Sequence, residues 1–582
     1  MVDMAWLFVL LLLISILGYY SFSKLYISVG TAQFPLLFIA FSVAFTYSFG
    51  IIGLLEIGYY IFLLCGCILL LISVYKIHTK NKTDTMKLLS SFVSSPFIFM
   101  LIGLIWLFVI TRNANPSHPD DFSHWLKICK VMYYDNSFPV TPEITYLNYP
   151  PGTAVWIYIV TRTIGFSSGN CYFAQSSINL AACCFLFVIQ TNINIKLRAI
   201  ERLVLGLSIW VFWAVSNAVI TRVFALTVDG ALGLVTLATI IFIISMRENV
   251  VDYISLILLL VFLVLIKVAG ILFVIFAISL YLSLKKQRGN VFNNDGIKTV
   301  ILSVVPLLFF IAYIVRSKLL YDNVDVSDQA FSVQRFLSLS QVKDQHLIVS
   351  VIKNCIYNSI KLFGPGTSRI KLIWVSFAGL LSLYYFYDRK TAKSNKNPGS
   401  LFLLRYVFVC YWIFVLFLIF TYIFSMENYE AEVLGSYYRY VSILSIIVFG
   451  VFTYRFLLIM LDLNIRWPVL YLILYALIVL LLGFPELNYT FLITSEGYSY
   501  YNDLAWRRLS EVAEENNYYT EESYLVVWDA SLFEDLSINS AYFKNVAETY
   551  FRSVNVEIIV TDLSSDYQEN DCNGYDKVIL VN

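Results

Sequence analysis

Two adjacent carboxylates and two histidines stand out in this sequence, because they lie in a polar stretch between long hydrophobic segments. The stretch begins at Thr111 and contains His118, Asp120, Asp121 and His124. A carboxylate can take a proton from a hydroxyl group as a general base, and carboxylates and imidazoles also bind metal ions. The spacing of the two histidines does not by itself define a metal site, so the pattern favours acid–base chemistry.

The residues after the carboxylate pair predict a short amphipathic helix. Trp125, Cys129 and Met132 recur at spacings of four and three, which places them on one face of a helix. Lys127 and Lys130 fall elsewhere on the same helix. The pattern over residues 122–134 is typical of a helix that lies along a membrane surface.

Prolines delimit the polar stretch. Pro139 ends the predicted helix, and Pro150 and Pro151 follow Tyr149. The fixed φ of proline and its missing N–H impose a rigid, extended return to the next hydrophobic segment. Residues 111–151 are therefore predicted to form one compact functional loop.

The composition predicts an all-α polytopic membrane protein. Of the 582 residues, 59% are hydrophobic and only 14% are charged, the mean hydropathy is +0.74, and soluble domains carry about a quarter charged residues. The net charge of +1 and the absence of a basic face argue against nucleic acid as a partner. The nine cysteines show neither a disulfide framework nor a zinc pattern.

About fourteen apolar runs are long enough to cross roughly 30 Å of hydrocarbon. By residue number they are 4–20, 31–55, 57–75, 90–110, 171–193, 203–220, 224–245, 253–266, 268–284, 299–315, 372–387, 401–424, 440–460 and 469–484. A shorter run, 153–164, carries Arg162 and is predicted to be re-entrant or interfacial. About thirteen or fifteen crossings are the alternatives, depending on how that region is counted.

The distribution of lysines predicts the orientation. A dense basic cluster at 76–87 is expected on the cytoplasmic side of the cell membrane. Alternation then places the 111–151 loop, a second loop at 316–369 and the tail 485–582 outside. The membrane domain is 1–484. The tail has strand-like patterns starting at Tyr524, Val556 and Lys577 and helical patterns at 504–516 and 541–552, which predict a small extracytoplasmic α/β domain.

Four further charged residues are predicted at outer helix ends, namely Arg222, Asp229, Lys267 and Arg439. Ionisable residues at such positions are often functional. Each also has a simpler explanation. Asp229 would complement a helix dipole, Lys267 and Arg222 would reach lipid phosphates, and the tyrosines around Arg439 would belong to an aromatic belt.

The order of these motifs resembles the glycosyltransferase C superfamily, especially protein O-mannosyltransferases and the aminoarabinose transferase of lipid A. In those enzymes an outer Asp-Glu pair is followed by a juxtamembrane helix and a Pro-Pro pair, as Asp120-Asp121 is followed here by Pro150-Pro151. Asp229 is similar to the second acidic position of the family. The sequence Leu265-Ile-Lys267-Val-Ala-Gly270 resembles its Leu-x-Lys-Gly turn, although the glycine comes three residues after the lysine, and the pair ends in Asp where the family has Glu. The resemblance covers about residues 90–284.

The resemblance implies an inverting transfer of a sugar from a polyprenyl-phosphate donor to an extracytoplasmic acceptor. Asp120 would be the general base, with Asp121 as the alternate. The sequence Arg439-Tyr440 resembles an Arg-Tyr that precedes a late helix in several of these enzymes. The remaining implied roles are donor-phosphate binding by Lys267, Arg222 and Arg439, contact with acceptor or substrate by His124 and Tyr149, and, as an alternative to metal-free chemistry, a divalent metal (Mg²⁺ or Mn²⁺) held by Asp120 or Asp229.

Three other functions fit parts of the pattern. A polymerase or ligase of lipid-linked glycans would use a diphosphate donor. A transporter or flippase would show internal repeats and charges deep in several spans, whereas the charges here gather at helix ends. A scaffold would use the tail as its functional part.

Overall fold

The fold is described from a computed structural model. The residues that the structure describes are 2–79, 82–114, 116, 120–139, 149–192, 198–217, 223–287, 295–320, 343–363, 367–389, 399–462, 524–529, 556–561 and 577–581.

Helices make up nearly all of the described chain up to residue 462. Two of them have a proline, Pro35 or Pro96, in the first turn, where its missing N–H breaks no helical hydrogen bond. The helices of the first part are α1 (Val2–Phe22), α2 (Phe34–Ile51), α3 (Leu55–Thr79), α4 (Lys82–Phe92), α5 (Ser95–Thr111), α6 (Leu126–Asp135), α7 (Gly152–Ile164), α8 (Ser168–Cys184), α9 (Ile189–Asn192) and α10 (Ala199–Ser216). Those of the second part are α11 (Asp229–Ser245), α12 (Val250–Ile266), α13 (Gly270–Gln287), α14 (Asp295–Leu320), α15 (Gln345–Ile360), α16 (Ser368–Leu383), α17 (Ser400–Phe424), α18 (Asn428–Val433) and α19 (Tyr437–Asp462).

Ten described helices are long and apolar enough to cross a membrane, and the bent pair formed by α4 and α5 brings the number to eleven. Helices α11 and α12 are apolar but shorter. Each predicted span coincides with a helix except 469–484, which lies outside the described residues. The prediction of an all-α polytopic membrane protein is therefore confirmed. The number of crossings and their orientation stay predictions.

Helix α11 lies at the centre of the bundle. Nearly every side chain along it is buried, and it packs against α8, α12, α13 and α19. Small residues allow the closest of these approaches, as expected where helices cannot rely on the hydrophobic effect alone. A Cβ added to Gly450 of α19 would lie 2.1 Å from a methyl group of Leu237 in α11. This close packing holds the ends of α11 and α19 beside each other.

Helix α7 begins and ends at the same end of the bundle. Its first residue, Gly152, lies against the backbone of Leu265 in the last turn of α12. Soon after its end, the Ser168 hydroxyl donates to the Ala114 carbonyl just beyond α5, at 2.6 Å. The helix has 13 residues, about 20 Å, and Arg162 near its end pairs with Glu56 at 2.6 Å. This geometry agrees with a segment that enters the bundle without crossing it.

One expectation about a polar segment is wrong. The helix after the carboxylate pair is not a surface helix, because Lys127 and Lys130 are buried along with its apolar face. It packs mainly against α7, a contact that its own periodicity could not reveal. The predicted second outer segment, 316–369, contains the end of α14 and the whole of α15, and its location outside the membrane stays a prediction.

The tail contains a small parallel sheet. Strands β1 (Tyr524–Asp529), β2 (Val556–Thr561) and β3 (Lys577–Val581) lie in the order β2-β1-β3. Tyr524 pairs with Val556 on one side and with Lys577 on the other. The three predicted strands are confirmed, while the predicted helices at 504–516 and 541–552 lie outside the described part of the chain.

Candidate active site

The carboxylate pair sits at the start of a wide helical turn. Residues Asp121–Trp125 form a π-helical turn that continues directly into α6. Successive side chains of a helix point about 100° apart. Asp121 accordingly faces the interior and is fully buried, whereas the side chain of Asp120 is 27% exposed. The two carboxylates of the pair thus have different surroundings.

Asp121 joins the loop to two other elements. Its carboxylate accepts a hydrogen bond from the Tyr172 hydroxyl of α8 at 2.9 Å, and another from the Leu226 backbone N–H at 2.9 Å. Burial raises the pKa of Asp121 to about 8, an effect that these two donors oppose and the neighbouring charge of Asp120 reinforces. Asp121 is therefore mostly neutral near pH 7, and it anchors the loop rather than offering a reactive charge.

Asp120 belongs to a chain of ion pairs. Its Oδ2 lies 2.5 Å from Nη1 of Arg439. Arg439 Nε lies 3.4 Å from Oδ2 of Asp229, whose Oδ1 lies 2.8 Å from Nζ of Lys267. Two carboxylates and two cations, separated by up to 319 residues in the sequence, thus alternate at one end of the bundle.

Helix ends position Asp229, Arg439 and Lys267. Asp229 is the first residue of α11, where the N-terminal dipole favours a negative charge. Arg439 lies in the first turn of α19. Lys267 directly follows α12 and has an extended backbone. The predicted locations at helix ends are therefore observed for these three residues.

A glycine shapes the turn that carries Lys267. Gly270 N–H donates to the Lys267 carbonyl at 2.7 Å, and a Cβ on Gly270 would lie 2.0 Å from the Leu263 carbonyl oxygen. Only glycine fits this approach of α13 to α12. A glycine three residues after the lysine therefore gives the tight turn that the Leu-x-Lys-Gly pattern led us to expect.

Asp229 holds both cations. Its side chain is 3% exposed and that of Lys267 is 13% exposed, so the pair is largely removed from water. Burial opposes the charge of Lys267, but the Asp229 carboxylate outweighs it and the pKa of Lys267 is raised. Removing Asp229 would leave the buried Lys267 charge without its carboxylate partner.

Aromatic side chains surround the charges. The Tyr440 ring lies 5.0 Å from Lys267 Nζ and 5.3 Å from Arg439 Cζ, distances at which cations interact with a ring face. Tyr149 stacks on Trp125 at 5.9 Å, and its ring lies 6.4 Å from that of His124. Burial raises the pKa of the Tyr149 phenol, and the charge of Lys267 opposes the rise. His124 Nδ1 lies 2.6 Å from the Ser123 hydroxyl.

Among the described residues, the carboxylates named for the metal alternative are paired with cations. Both oxygens of Asp229 are engaged by cations, and Asp120 is paired with Arg439. Among the described residues, no group of three His, Cys, Asp or Glu side chains could hold a metal ion. We therefore assign no step to a metal.

The structure brings together most of the residues that the sequence singled out. Asp120, Asp229, Lys267 and Arg439 are in direct contact, and Tyr149 lies beside them. The His124 ring packs against the rings of Tyr149 and Trp125. Arg222 and His118 lie outside the described residues.

Sequence reasoning assigned no role to two side chains of the site. Tyr440 follows Arg439 directly, so the Arg-Tyr pattern was the available signal. Tyr172 lies in an apolar run 51 residues from Asp121, and nothing local marks it.

Comparison with known proteins does not assign the chain to a family. No family model matches the chain, and neither a curated protein nor a solved structure is significantly similar to it. The functional argument therefore depends on the geometry of the site and on the order of its motifs.

Proposed function

We propose that this protein is an integral-membrane glycosyltransferase of the cell envelope. It would transfer a sugar from a polyprenyl-phosphate donor to an extracytoplasmic acceptor, with inversion at the anomeric carbon. The single observation that carries this proposal is the ion-pair chain Asp120–Arg439–Asp229–Lys267, which joins one accessible carboxylate to two cations at a helix-end site. The resemblance of the surrounding motifs to the glycosyltransferase C superfamily supports the same reading.

Asp120 is the general base of the proposed reaction. The acceptor hydroxyl oxygen bonds to the anomeric carbon while the bond from that carbon to the phosphate oxygen breaks. The phosphate leaves with the electron pair, and the hydroxyl proton passes to the Asp120 carboxylate. Its ion pair with Arg439 favours the ionised carboxylate that this step needs.

Arg439 and Lys267 are the proposed phosphate ligands. A guanidinium has five N–H donors and an ammonium has three. The contacts with Asp120 and Asp229 therefore leave donors on both side chains for phosphate oxygens. Asp229 would fix the two cations, and the phosphate charge that develops as the bond breaks would be stabilised between them.

The first test is a donor-release assay on the purified protein. Polyprenyl-phosphate hexoses and pentoses are incubated with and without alcohol acceptors, and free polyprenyl phosphate is measured by mass spectrometry. Release that depends on the protein supports the proposal. Release only from diphosphate-linked donors would favour the polymerase or ligase alternative, and movement of intact donor between leaflets without release would favour a flippase.

A further inference from the structure

Arg439 contacts two carboxylates at once. Its Nη1 lies 2.5 Å from Asp120 Oδ2, and its Nε lies 3.4 Å from Asp229 Oδ2. Its Nη2 lies 3.5 Å from the Tyr440 hydroxyl. The shortest of these contacts joins Arg439 to Asp120, so the proposed base and a proposed phosphate ligand are bound to each other. A phosphate that binds Arg439 must therefore compete with this carboxylate.

The two carboxylates are held with different strength. The Asp229 side chain is 3% exposed and also accepts from Lys267 Nζ at 2.8 Å, so breaking its contacts would strand charges away from water. The side chains of Asp120 and Arg439 are 27% and 28% exposed, and an ion pair that water reaches contributes little to stability. Asp229 is therefore the permanent partner of Arg439, and Asp120 is the exchangeable one.

The backbone around Asp120 does not have to move for such an exchange. The next residue, Asp121, is fixed by hydrogen bonds from the Tyr172 hydroxyl and from the Leu226 backbone N–H. Asp120 itself has helical φ and ψ angles of −66° and −23° and leads directly into the π-helical turn. Rotation of its side chain between staggered positions is enough to carry the carboxylate away from the guanidinium.

A donor phosphate can take the place of the Asp120 carboxylate. A phosphodiester carries one negative charge, as an ionised aspartate does, and its two free oxygens can accept two parallel N–H bonds from a guanidinium. Lys267 supplies a second cation, because it and Arg439 both contact the Asp229 carboxylate and both lie against the Tyr440 ring. Attraction to two cations favours the phosphate over the carboxylate at Arg439.

We propose that the donor phosphate displaces Asp120 from Arg439, so that binding of the donor releases the base to the acceptor hydroxyl. The proposal rests on the proposed glycosyl transfer and adds an order of events, in which the polyprenyl-phosphate donor binds before the acceptor can be deprotonated. A negative charge placed nearby also makes a carboxylate a stronger base. The donor thus activates the group that deprotonates the acceptor.

The exchange reverses after transfer. Once the acceptor hydroxyl has given its proton to Asp120, the carboxyl group is neutral and no longer competes for Arg439. The phosphate monoester that leaves with the electron pair then carries the additional negative charge. Loss of the proton from Asp120 to water restores the carboxylate, which pairs with Arg439 again and weakens the hold on the product. Asp120 is therefore both the base and a competitor of the product phosphate.

Binding of polyprenyl phosphate to variants of the full chain tests the exchange without requiring turnover. Wild type, Asp120→Asn, Arg439→Gln and the double variant are titrated in lipid nanodiscs and followed by native mass spectrometry, with uncharged polyprenol as the control lipid. We expect Asp120→Asn to bind polyprenyl phosphate about tenfold more tightly than wild type, because the competing carboxylate is gone. In the Arg439→Gln background, the same change should have less than about a twofold effect. Polyprenol binding should be the same in all four forms.

Two further variants complete the test. Asp120→Glu leaves Arg439 in place and keeps the competing charge, so it should bind polyprenyl phosphate within about twofold of wild type. Asp344→Asn, which removes an exposed carboxylate elsewhere, should also bind like wild type. Unchanged phosphate binding in Asp120→Asn would overturn the exchange. Equal tightening by Asp120→Asn with and without Arg439 would overturn it as well, because the effect would then be general repulsion between charges.

Failure of the exchange can be told apart from failure of the proposed function. Sugar transfer by wild type, together with unchanged phosphate binding in Asp120→Asn, would remove the exchange and leave the glycosyltransferase proposal standing. Tighter phosphate binding in Asp120→Asn that depends on Arg439, with no transfer from any donor, would support the exchange of anions at Arg439 and count against the proposed reaction.

Discussion

The two aspartates of the pair have separate tasks, although they are adjacent and chemically identical. Asp120 pairs with Arg439 and is partly open to solvent, while Asp121 is buried and bonded to Tyr172 and to the Leu226 backbone. Before the structure, nothing physical separated the two as candidate bases. Burial now favours Asp120, because a base must reach the hydroxyl whose proton it takes.

Replacing Asp121 by Asn should change how stability depends on pH. Asp121 has its pKa raised from 3.8 to about 8 in the folded protein, so between these values the folded chain binds one proton more than the unfolded chain. Its contribution to the free energy of unfolding is fully present below pH 3.8 and is lost as the pH rises through about 8. Asn keeps an acceptor oxygen for the Leu226 N–H, its NH2 group can donate to the Tyr172 hydroxyl oxygen, and it does not titrate.

The measurement is the melting temperature of both proteins in detergent from pH 5.5 to 9. We expect the difference, Asp121→Asn minus wild type, to rise with pH up to about 8.5. The exposed Asp344, replaced by Asn, is the matched control for loss of a carboxylate at the surface. A constant difference for Asp121→Asn would show that Asp121 is already ionised in the fold.

Replacing Asp229 by Asn should leave two cations without their shared partner. Breaking a buried ion pair from one side destabilises a protein by roughly 3 kcal/mol. The double variant Asp229→Asn/Lys267→Met should be more stable than the sum of the single effects predicts, because it removes a stranded cation as well. Unfolding of the four proteins of this cycle checks the prediction, and additive effects would contradict the assigned contact.

At the scale of elements, the site depends on where helices stop. The first residue of α11, the residue after α12 and the first turn of α19 supply Asp229, Lys267 and Arg439. Sequence reasoning found these helix ends, because charged residues interrupt strongly apolar runs there. It did not find α15, in which polar residues such as His346, Lys353 and Asn354 interrupt the apolar ones.

Gly270→Ala tests the turn between α12 and α13. The added Cβ would lie 2.0 Å from the Leu263 carbonyl oxygen, so the turn must open and Lys267 must move. We expect a loss of about 3 kcal/mol in stability and a matching loss of polyprenyl phosphate binding, measured by unfolding and by native mass spectrometry. Gly206→Ala, where a Cβ meets nothing within 4 Å, is the control and should be neutral or stabilising by up to about 1 kcal/mol. Unchanged binding in Gly270→Ala would show that the turn does not position the lysine.

At the scale of the whole molecule, apolar periodicity and charge placement predicted much of the architecture. Helix positions and the three strands follow from local pattern. The burial of Lys127 and Lys130 does not, since it depends on which helices cover them. The bond from Tyr172 to Asp121 is similarly a product of packing across 51 residues. Which of the two aspartates is buried likewise depends on packing between distant segments, which the sequence does not show.

The orientation of the bundle is a prediction that labelling can check. Glu427 lies between α17 and α18, on the connection that leads to Arg439, and is predicted outside, whereas Arg247 is predicted inside, and both are exposed. In a Cys572→Ser background, an impermeant maleimide should label Glu427→Cys in intact cells and Arg247→Cys only after lysis. The reverse pattern would place the site on the cytoplasmic side and exclude an extracytoplasmic acceptor.

The most direct test of the central claim is single-turnover sugar transfer by Asp120→Asn. This change keeps the size of the side chain but removes the proton acceptor. With a donor that wild type uses, we expect the rate of polyprenyl phosphate release to fall by at least about 100-fold, while donor binding persists. Asp344→Asn, an exposed carboxylate replaced in the same way, should retain the full rate. A wild-type rate in Asp120→Asn would contradict the assignment of Asp120 as the base and the mechanism built on it.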